Sequence, residues 1–425
     1  MNRFAARKVL GTLSVVWLMS GAVGCQSDQR SVGPIRAMWV TRYDYKTPAD
    51  VVRIMANCDE AGINTVLFQA RGNGTVFYRS KIEPWAEQFG FKYPGFDPLG
   101  LAVKEAHRRG MELHAWVNVM PAWQGPGKPA IRKQLYHTHP EWFWYDIRGR
   151  RQPIHHRVGG KSRDWYVSVN PCLPEVRAYL VKVFRELVTR YDVDGLHMDY
   201  IRFPNEPVVP GEKIPDYPRD KRTLALFHQA TGQTPESNRG LWNRWRTDQV
   251  SRLAADVKAM MGRVRPDAVL SAAVGSVPKR ALTHFQDGRK WLQAGTVDVV
   301  YLMNYTPDVS AFGERIGPWL NVNSQARVVP GLMVRAQAGA KKDAGRARRQ
   351  VEIARASTGN FCIFAYSTLF DSASTSGEKP DSPARRLRAQ RRDFLVPFLR
   401  SLADKLQVAD AGAGEAGRPR YLACR

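Results

Sequence analysis

A chain of 425 residues with 44% hydrophobic and 10% aromatic side chains is long and apolar enough to bury a large globular core. Its formal charge of +25 comes without a helix-turn-helix, RNP or zinc-finger pattern, which argues against nucleic acid and for anionic glycans or a negatively charged envelope surface. The cysteines show no paired metal-ligand spacing, and any disulfide connectivity is unreadable from their positions.

Residues 1–24 read as an export signal. Arg3, Arg7 and Lys8 precede an apolar run, Val9–Met19, that is too short for a permanent bilayer span, and Ala22-Val23-Gly24 form a small-residue exit. Cys25 follows directly and matches the position that becomes lipid-modified in bacterial lipoproteins, although Ala22 stands where a leucine is usual. The expectation is an exported protein of the bacterial cell envelope, tethered to the membrane by a lipid on Cys25; ordinary cleavage is the alternative. Export again speaks against a nucleic-acid partner.

After a linker over 25–35, apolar strand candidates alternate with helical patterns. The strands are Arg36–Thr41, Asn64–Gln69, Glu112–Asn118, Asp194–Asp199, Val269–Val274, Val297–Met303, Arg327–Met333 and Asn360–Ala365. Helices with period-3.6 apolar positions are expected over Pro48–Ala61, Leu99–Arg109, Pro174–Tyr191, Leu241–Met261, Gly288–Ala294, Lys341–Ala356 and Arg385–Ala403. Eight strands separated by helices predict an α/β fold, a (β/α)8 TIM barrel over 36–407. Two connections, Met120–Ser168 after the third strand and Ile201–Gly240 after the fourth, exceed simple links, and loops of that length are usually functional. Val408–Arg425 is rich in Ala and Gly without an apolar period and is expected to be a disordered tail.

The most informative stretch is Tyr191–Pro204, YDVDGLHMDYIRFP. Period-two alternation turns His197 and Asp199 to one side of the fourth strand, and Asp199 stands where the apolar run stops. Tyr200, Arg202 and Pro204 then open a polar, aromatic loop. A carboxylate at the carboxyl end of a barrel strand is where this fold places chemistry; the plainer alternative is that Asp199 caps a helix or pairs with Arg202.

The segments RAMWV, NTVLFQARGNGTVFYRSKIEPWA, HAWVN, VNPCLPEVRAYL, VDGLHMDYIRFP and DGRKWLQAGTVDVVYLMNYTPD together resemble the bacterial glycosyl-hydrolase-like barrel family over roughly Arg36–Phe370. That family includes envelope lipoproteins, and one branch is a division-site glycosidase acting on peptidoglycan strands that lack peptide stems. The resemblance implies a (β/α)8 barrel with Asp199 at the acidic position after the fourth strand. Gln69 and Arg71 match the family's QxR motif, Glu83-Pro84-Trp85 its EPW motif, and His114-Ala115-Trp116 its HAW motif. The chain departs from the pattern at Thr75, Tyr200 and Asn304, where relatives often carry acids.

Glycoside hydrolysis normally uses two carboxyl groups. Asp199 is the first, expected as the acid or acid/base, with a pocket of Trp116, Tyr200 or Tyr305 to favour its protonated form. Glu83 is the leading second carboxyl, or else a loop tether bound to Arg71; Asp44 and Asp308 are weaker candidates, and Asp194 is read as structural. Trp39, Trp116 and Tyr305 suit sugar stacking. Arg71, Asn73, Asn118 and Asn304 suit hydroxyl or acidic substituents, and His197, Tyr200 and Arg202 complete the candidate substrate-binding set. No cofactor and no catalytic metal are expected, since His155-His156 with His137 and His139 lack ligand spacing. The sequence therefore predicts an exported glycoside hydrolase acting on an envelope or extracellular polysaccharide, with peptidoglycan and anionic glycans as the candidate substrates. The alternative is a glycan-binding barrel that has lost its second carboxylate.

Overall fold

The computed structural model describes residues 33–158, 161–203, 216–320, 322, 327–334 and 340–413. The expected export signal, Cys25 and most of the linker lie outside these residues, as does the tail from 414 onward.

The eight apolar runs become eight parallel strands: Arg36–Val40, Thr65–Arg71, Glu112–Asn118, Gly195–Asp199, Val269–Gly275, Val299–Met303, Arg327–Met333 and Phe361–Phe364. Each pairs with its neighbours in chain order, and the first closes on the eighth through Arg36 opposite Phe361 and Met38 opposite Ile363. The predicted barrel is therefore a closed ring. Its outer face packs on the helices through one continuous apolar core, so covering on both sides explains why these strands read as near-continuous apolar runs.

Local chemistry sets the helix boundaries. Thr47 and Asp50 form a reciprocal capping box ahead of Pro48–Glu60, and Asp97 caps Pro98–His107; both satisfy amide groups that the first turn would leave orphaned. The fourth strand needs Gly195, because a Cβ there would stand 2.7 Å from the His114 ring inside the barrel.

Each of the long connections carries structure of its own. Between the third and fourth strands, Pro121–Trp123 pairs antiparallel with Val167–Ser168, and His155–Val158 pairs with Lys161–Asp164. After the fourth strand lies a helix, Lys221–Thr231, that periodicity did not predict; Asp220 caps its start and Gly232, at φ +69°, ends it. The last helix, Pro383–Ala413, runs past the Gln407 boundary into the segment expected to be disordered. Cys58, Cys172 and Cys362 are buried free thiols, each pushed far up in pKa by burial.

Candidate active site

Parallel register gathers the site. Trp116 is opposite His197, and Asn118 is opposite Asp199, so the polar ends of the third and fourth strands meet at the C-terminal mouth of the barrel. Beneath them, Trp39 donates its indole N–H to His197 Nε2 at 3.1 Å, and His197 Nδ1 lies 2.9 Å from Ser271 Oγ. The bond from Trp39 makes Nε2 an acceptor, so the ring proton sits on Nδ1. Burial, with nearby His114 second, holds the His197 pKa well below the ordinary histidine range. Trp39, His197 and Tyr301 pack edge to face, and together they form the floor of the mouth.

Asp199 stands above this floor with a side chain only 10% exposed. Its Oδ1 accepts from the Tyr200 N–H at 2.6 Å and from Arg202 Nη1 at 3.1 Å. Tyr200 reaches this position in the left-handed region, at φ 50°, which bulky residues rarely adopt without a functional reason. Oδ2 has no hydrogen bond among the described residues. Two donors, one of them cationic, meet on one oxygen, and such charge-assisted bonds fix a carboxylate's orientation. Asp199 is thus ion-paired with Arg202, the pairing that the sequence reading held as its plainer alternative.

Aromatic side chains ring this carboxylate. Tyr166 meets Tyr200 edge to face at 5.0 Å, the Arg202 guanidinium lies 4.3 Å over the Tyr200 ring, and Tyr305 stacks on Phe364 at 5.2 Å. Tyr200 and Tyr305 have raised pKa values, from burial first and from the Asp199 charge among the lesser causes. Trp116 turns its N–H to Asn118 Oδ1 at 3.1 Å, and Asn118 Nδ2 is left buried without a partner beside Asp199. The structure therefore brings together Asp199, Tyr200, Arg202, Tyr305, Trp116, Asn118, His197 and Trp39.

The rest of the predicted set is committed elsewhere. Glu83 takes a two-pronged bond from Arg71, Nε to Oε2 and Nη2 to Oε1 at 2.7 Å each, and both side chains are fully buried. Tyr179 adds a third donor at 3.3 Å. Glu83 is thus the loop tether, not a carboxyl open to substrate, and Arg71 is itself fully buried, its Nη1 binding the carbonyls of Asn118, Val119 and Pro121. Asn73 braces the same loop through Thr75 and Gln124. Asn304 is buried and donates to the Phe312 carbonyl. Asp44 closes a turn onto Thr41, and Asp308 caps the short helix Val309–Glu314. Asp194 binds Leu113 N–H and His107 at the opposite end of its strand, as a structural residue should.

Three residues went unremarked in the sequence. Tyr166 packs edge to face on Tyr200, the residue after Asp199, and takes a hydrogen bond from Arg42, and Glu87 is an exposed carboxyl whose pKa is raised by partial burial against the opposing pull of Arg42. Arg42 follows the first strand as Asp199 follows the fourth, and that position was the available signal.

A closed (β/α)8 barrel with a carboxylate and aromatic side chains at its C-terminal rim is a glycoside-hydrolase-type barrel. The chain belongs to the glycosyl hydrolase-like 10 family, whose pattern matches residues 34–344. It is 26% identical over 337 residues to glycosyl hydrolase DigH of Escherichia coli K12, across 69% of this chain and 70% of that protein. It is 24% identical over 336 residues to glycosyl hydrolase YngK of Bacillus subtilis 168, across 70% of this chain and 58% of the relative. The PgaB (BpsB) glycoside hydrolase domain from Bordetella bronchiseptica shares the fold, with a TM-score of 0.57 at 15% identity over 84% of this chain and 99% of that one.

Proposed function

We propose that the protein is an exported glycoside hydrolase, held at the cell envelope by a lipid on Cys25, that cleaves a polysaccharide of the envelope with Asp199 as its catalytic carboxylate. Peptidoglycan glycan strands are the leading substrate. The observation that carries this reading is Asp199 itself, one oxygen fixed by Tyr200 N–H and Arg202 while the other takes no hydrogen bond from the described residues. In that role Oδ2 lies toward the anomeric carbon, where positive charge develops as the glycosidic bond breaks. The fixed donors on Oδ1 hold the carboxylate in one orientation before substrate arrives. Tyr305 and Tyr200 supply flat apolar faces that match a pyranose ring, and the unpartnered Asn118 Nδ2 is a donor for a sugar hydroxyl.

A second reading, a glycan-binding barrel without turnover, gains weight from Glu83, since the expected second carboxyl is locked to Arg71. Incubation with purified peptidoglycan, with and without peptide stems, separates the two. The hydrolase releases shorter glycan fragments resolvable by chromatography from at least one preparation. Binding without any new fragment would leave the carbohydrate-binding reading standing and remove the enzyme.

A further inference from the structure

Four arginines are buried in the described residues: Arg42, Arg71, Arg246 and Arg388. Arg71 pairs with Glu83, Arg246 with Asp216, and Arg388 with Asp371 and Glu378. Arg42 has no carboxylate within ion-pair distance among the described residues. A buried cation without a counter-charge is costly, so its neighbourhood must compensate or await a partner.

The compensation present is neutral. Nη2 donates to Tyr43 OH at 2.7 Å and to Gln124 Oε1 at 3.2 Å, and Nη1 donates to Tyr166 OH at 3.1 Å. Nε is buried with no partner among the described residues. Glu87 feels the Arg42 charge yet forms no ion pair with it.

Space has been kept for this guanidinium. A Cβ at Gly72 would stand 2.8 Å from Arg42 Cδ and Nη1 and 3.0 Å from Cζ, so a side chain there would push the guanidinium out of its present place. The covering side is loose. The Tyr43 ring sits 4.6 Å from Cζ and is 46% exposed, so it can swing aside into solvent. Tyr166 connects the fork to the cleavage site, because it binds Arg42 on one edge and packs against Tyr200, the residue after Asp199, on the other.

We propose that Arg42 is a specificity residue that receives the carboxylate of an acidic sugar unit next to the unit held at Asp199. The incoming carboxylate replaces Tyr43 and Gln124 on the guanidinium edge and supplies the missing counter-charge in the two-pronged geometry that this side chain favours. A chain of formal charge +25 would gather such a polymer from solution. The inference rests on the proposed hydrolase reading, deepening it from a polysaccharide to a carboxylate-bearing one.

The test uses binding, so it stands whether or not cleavage occurs. Peptide-free peptidoglycan strands, which carry lactyl carboxylates, and polygalacturonate, which carries uronates, are titrated against the Asp199→Asn protein by calorimetry. Each is compared with its carboxyl-reduced counterpart. At least one polymer is expected to bind roughly 10–100-fold more tightly than its reduced form, the range of a charged hydrogen-bonded pair, and the two arms tell which acid is read. Arg42→Gln is expected to bring both forms to the affinity of the reduced glycan, while Arg42→Lys keeps a partial preference. Equal binding of native and reduced glycans, no binding of either, or an Arg42→Gln loss that falls equally on both forms would overturn the proposal. If Arg42→Gln does not fold, the comparison of native with reduced glycan on the Arg42-containing protein still decides. Failure of hydrolysis with an intact carboxylate preference would sink the hydrolase reading alone.

Discussion

Replacing Glu83 with Gln separates a tether from a catalyst. In the structure both carboxylate oxygens are occupied by Arg71 at 2.7 Å, Tyr179 lies at 3.3 Å, and neither charged side chain is exposed. Glutamine keeps the shape but leaves the guanidinium buried without its counter-charge, a loss of about 3–5 kcal/mol when one partner of such a pair is removed. A barrel of this length has an unfolding entropy near ~0.8 kcal/mol/K at about 2 cal/mol/K per residue, so the melting temperature is expected to fall by roughly 4–6 °C. Calorimetry or circular dichroism measures the shift, and the rate per folded molecule is followed below the melting range. The rate should stay within about tenfold of wild type, because Glu83 touches no substrate. A companion protein in which Arg71→Met and Glu83→Leu are combined should recover part of the lost stability, since no charge is then stranded. A Glu83→Gln protein that melts with wild type yet turns over nothing would refute this reasoning and return Glu83 to the catalytic set.

The interior glycines offer a second check. A Cβ on Gly331 would stand 2.6 Å from Trp39 and 2.7 Å from the Leu302 carbonyl oxygen, so Gly331→Ala should cost about 1–3 kcal/mol by overpacking. Gly262, in the helix Arg239–Val264 with open space where its Cβ would go, should gain roughly 0.5–1 kcal/mol as alanine. Urea midpoints read both, and the opposite ordering would contradict the packing described for the barrel. His197 makes a pH prediction. Its folded pKa lies well below 6.5, so below that pH the unfolded chain binds the extra proton and stability falls as pH falls. One group contributes a slope of about 1.4 kcal/mol per pH unit until the folded pKa is reached. Stability measured between pH 6.5 and 5.5 should therefore fall about 1 kcal/mol less in His197→Asn than in wild type, since the unfolded histidine is only half protonated at pH 6.5, and parallel slopes would show that His197 is not buried neutral.

Much of the barrel was legible because its signal is local. Runs such as TVLFQ and VVYLM had to be buried on both faces, and the 3.6 period of the segments between them marks the helices that cover the ring. Asp199 was legible for a similar reason: an apolar run ends on a carboxylate, and strand alternation fixes its side. The partners of Glu83 and Arg71 were a different matter. They lie twelve positions apart in a loop whose path depends on carbonyls delivered by the third strand, so periodicity carries no information about whether the pair faces substrate or itself. Arg42 was missed because a single basic residue after a strand looks solvated until Gly72, Tyr43 and Tyr166 enclose it. The helix Lys221–Thr231 did announce itself, through Asp220 at its start and Gly232 at its end, but its short apolar face of Leu224 and Phe227 gives little period to read.

Cleavage kinetics of Asp199→Asn test the central assignment most directly. Asparagine preserves the bond from Tyr200 N–H and nearly the same volume, so the barrel should fold and bind glycan as before. Using whichever glycan the wild-type protein cuts, release of new reducing ends is expected to fall by roughly 10⁴-fold in kcat, the scale seen when a catalytic carboxylate is neutralised in place. Turnover within tenfold of wild type would mean that the carboxylate at the end of the fourth strand does not perform the reaction.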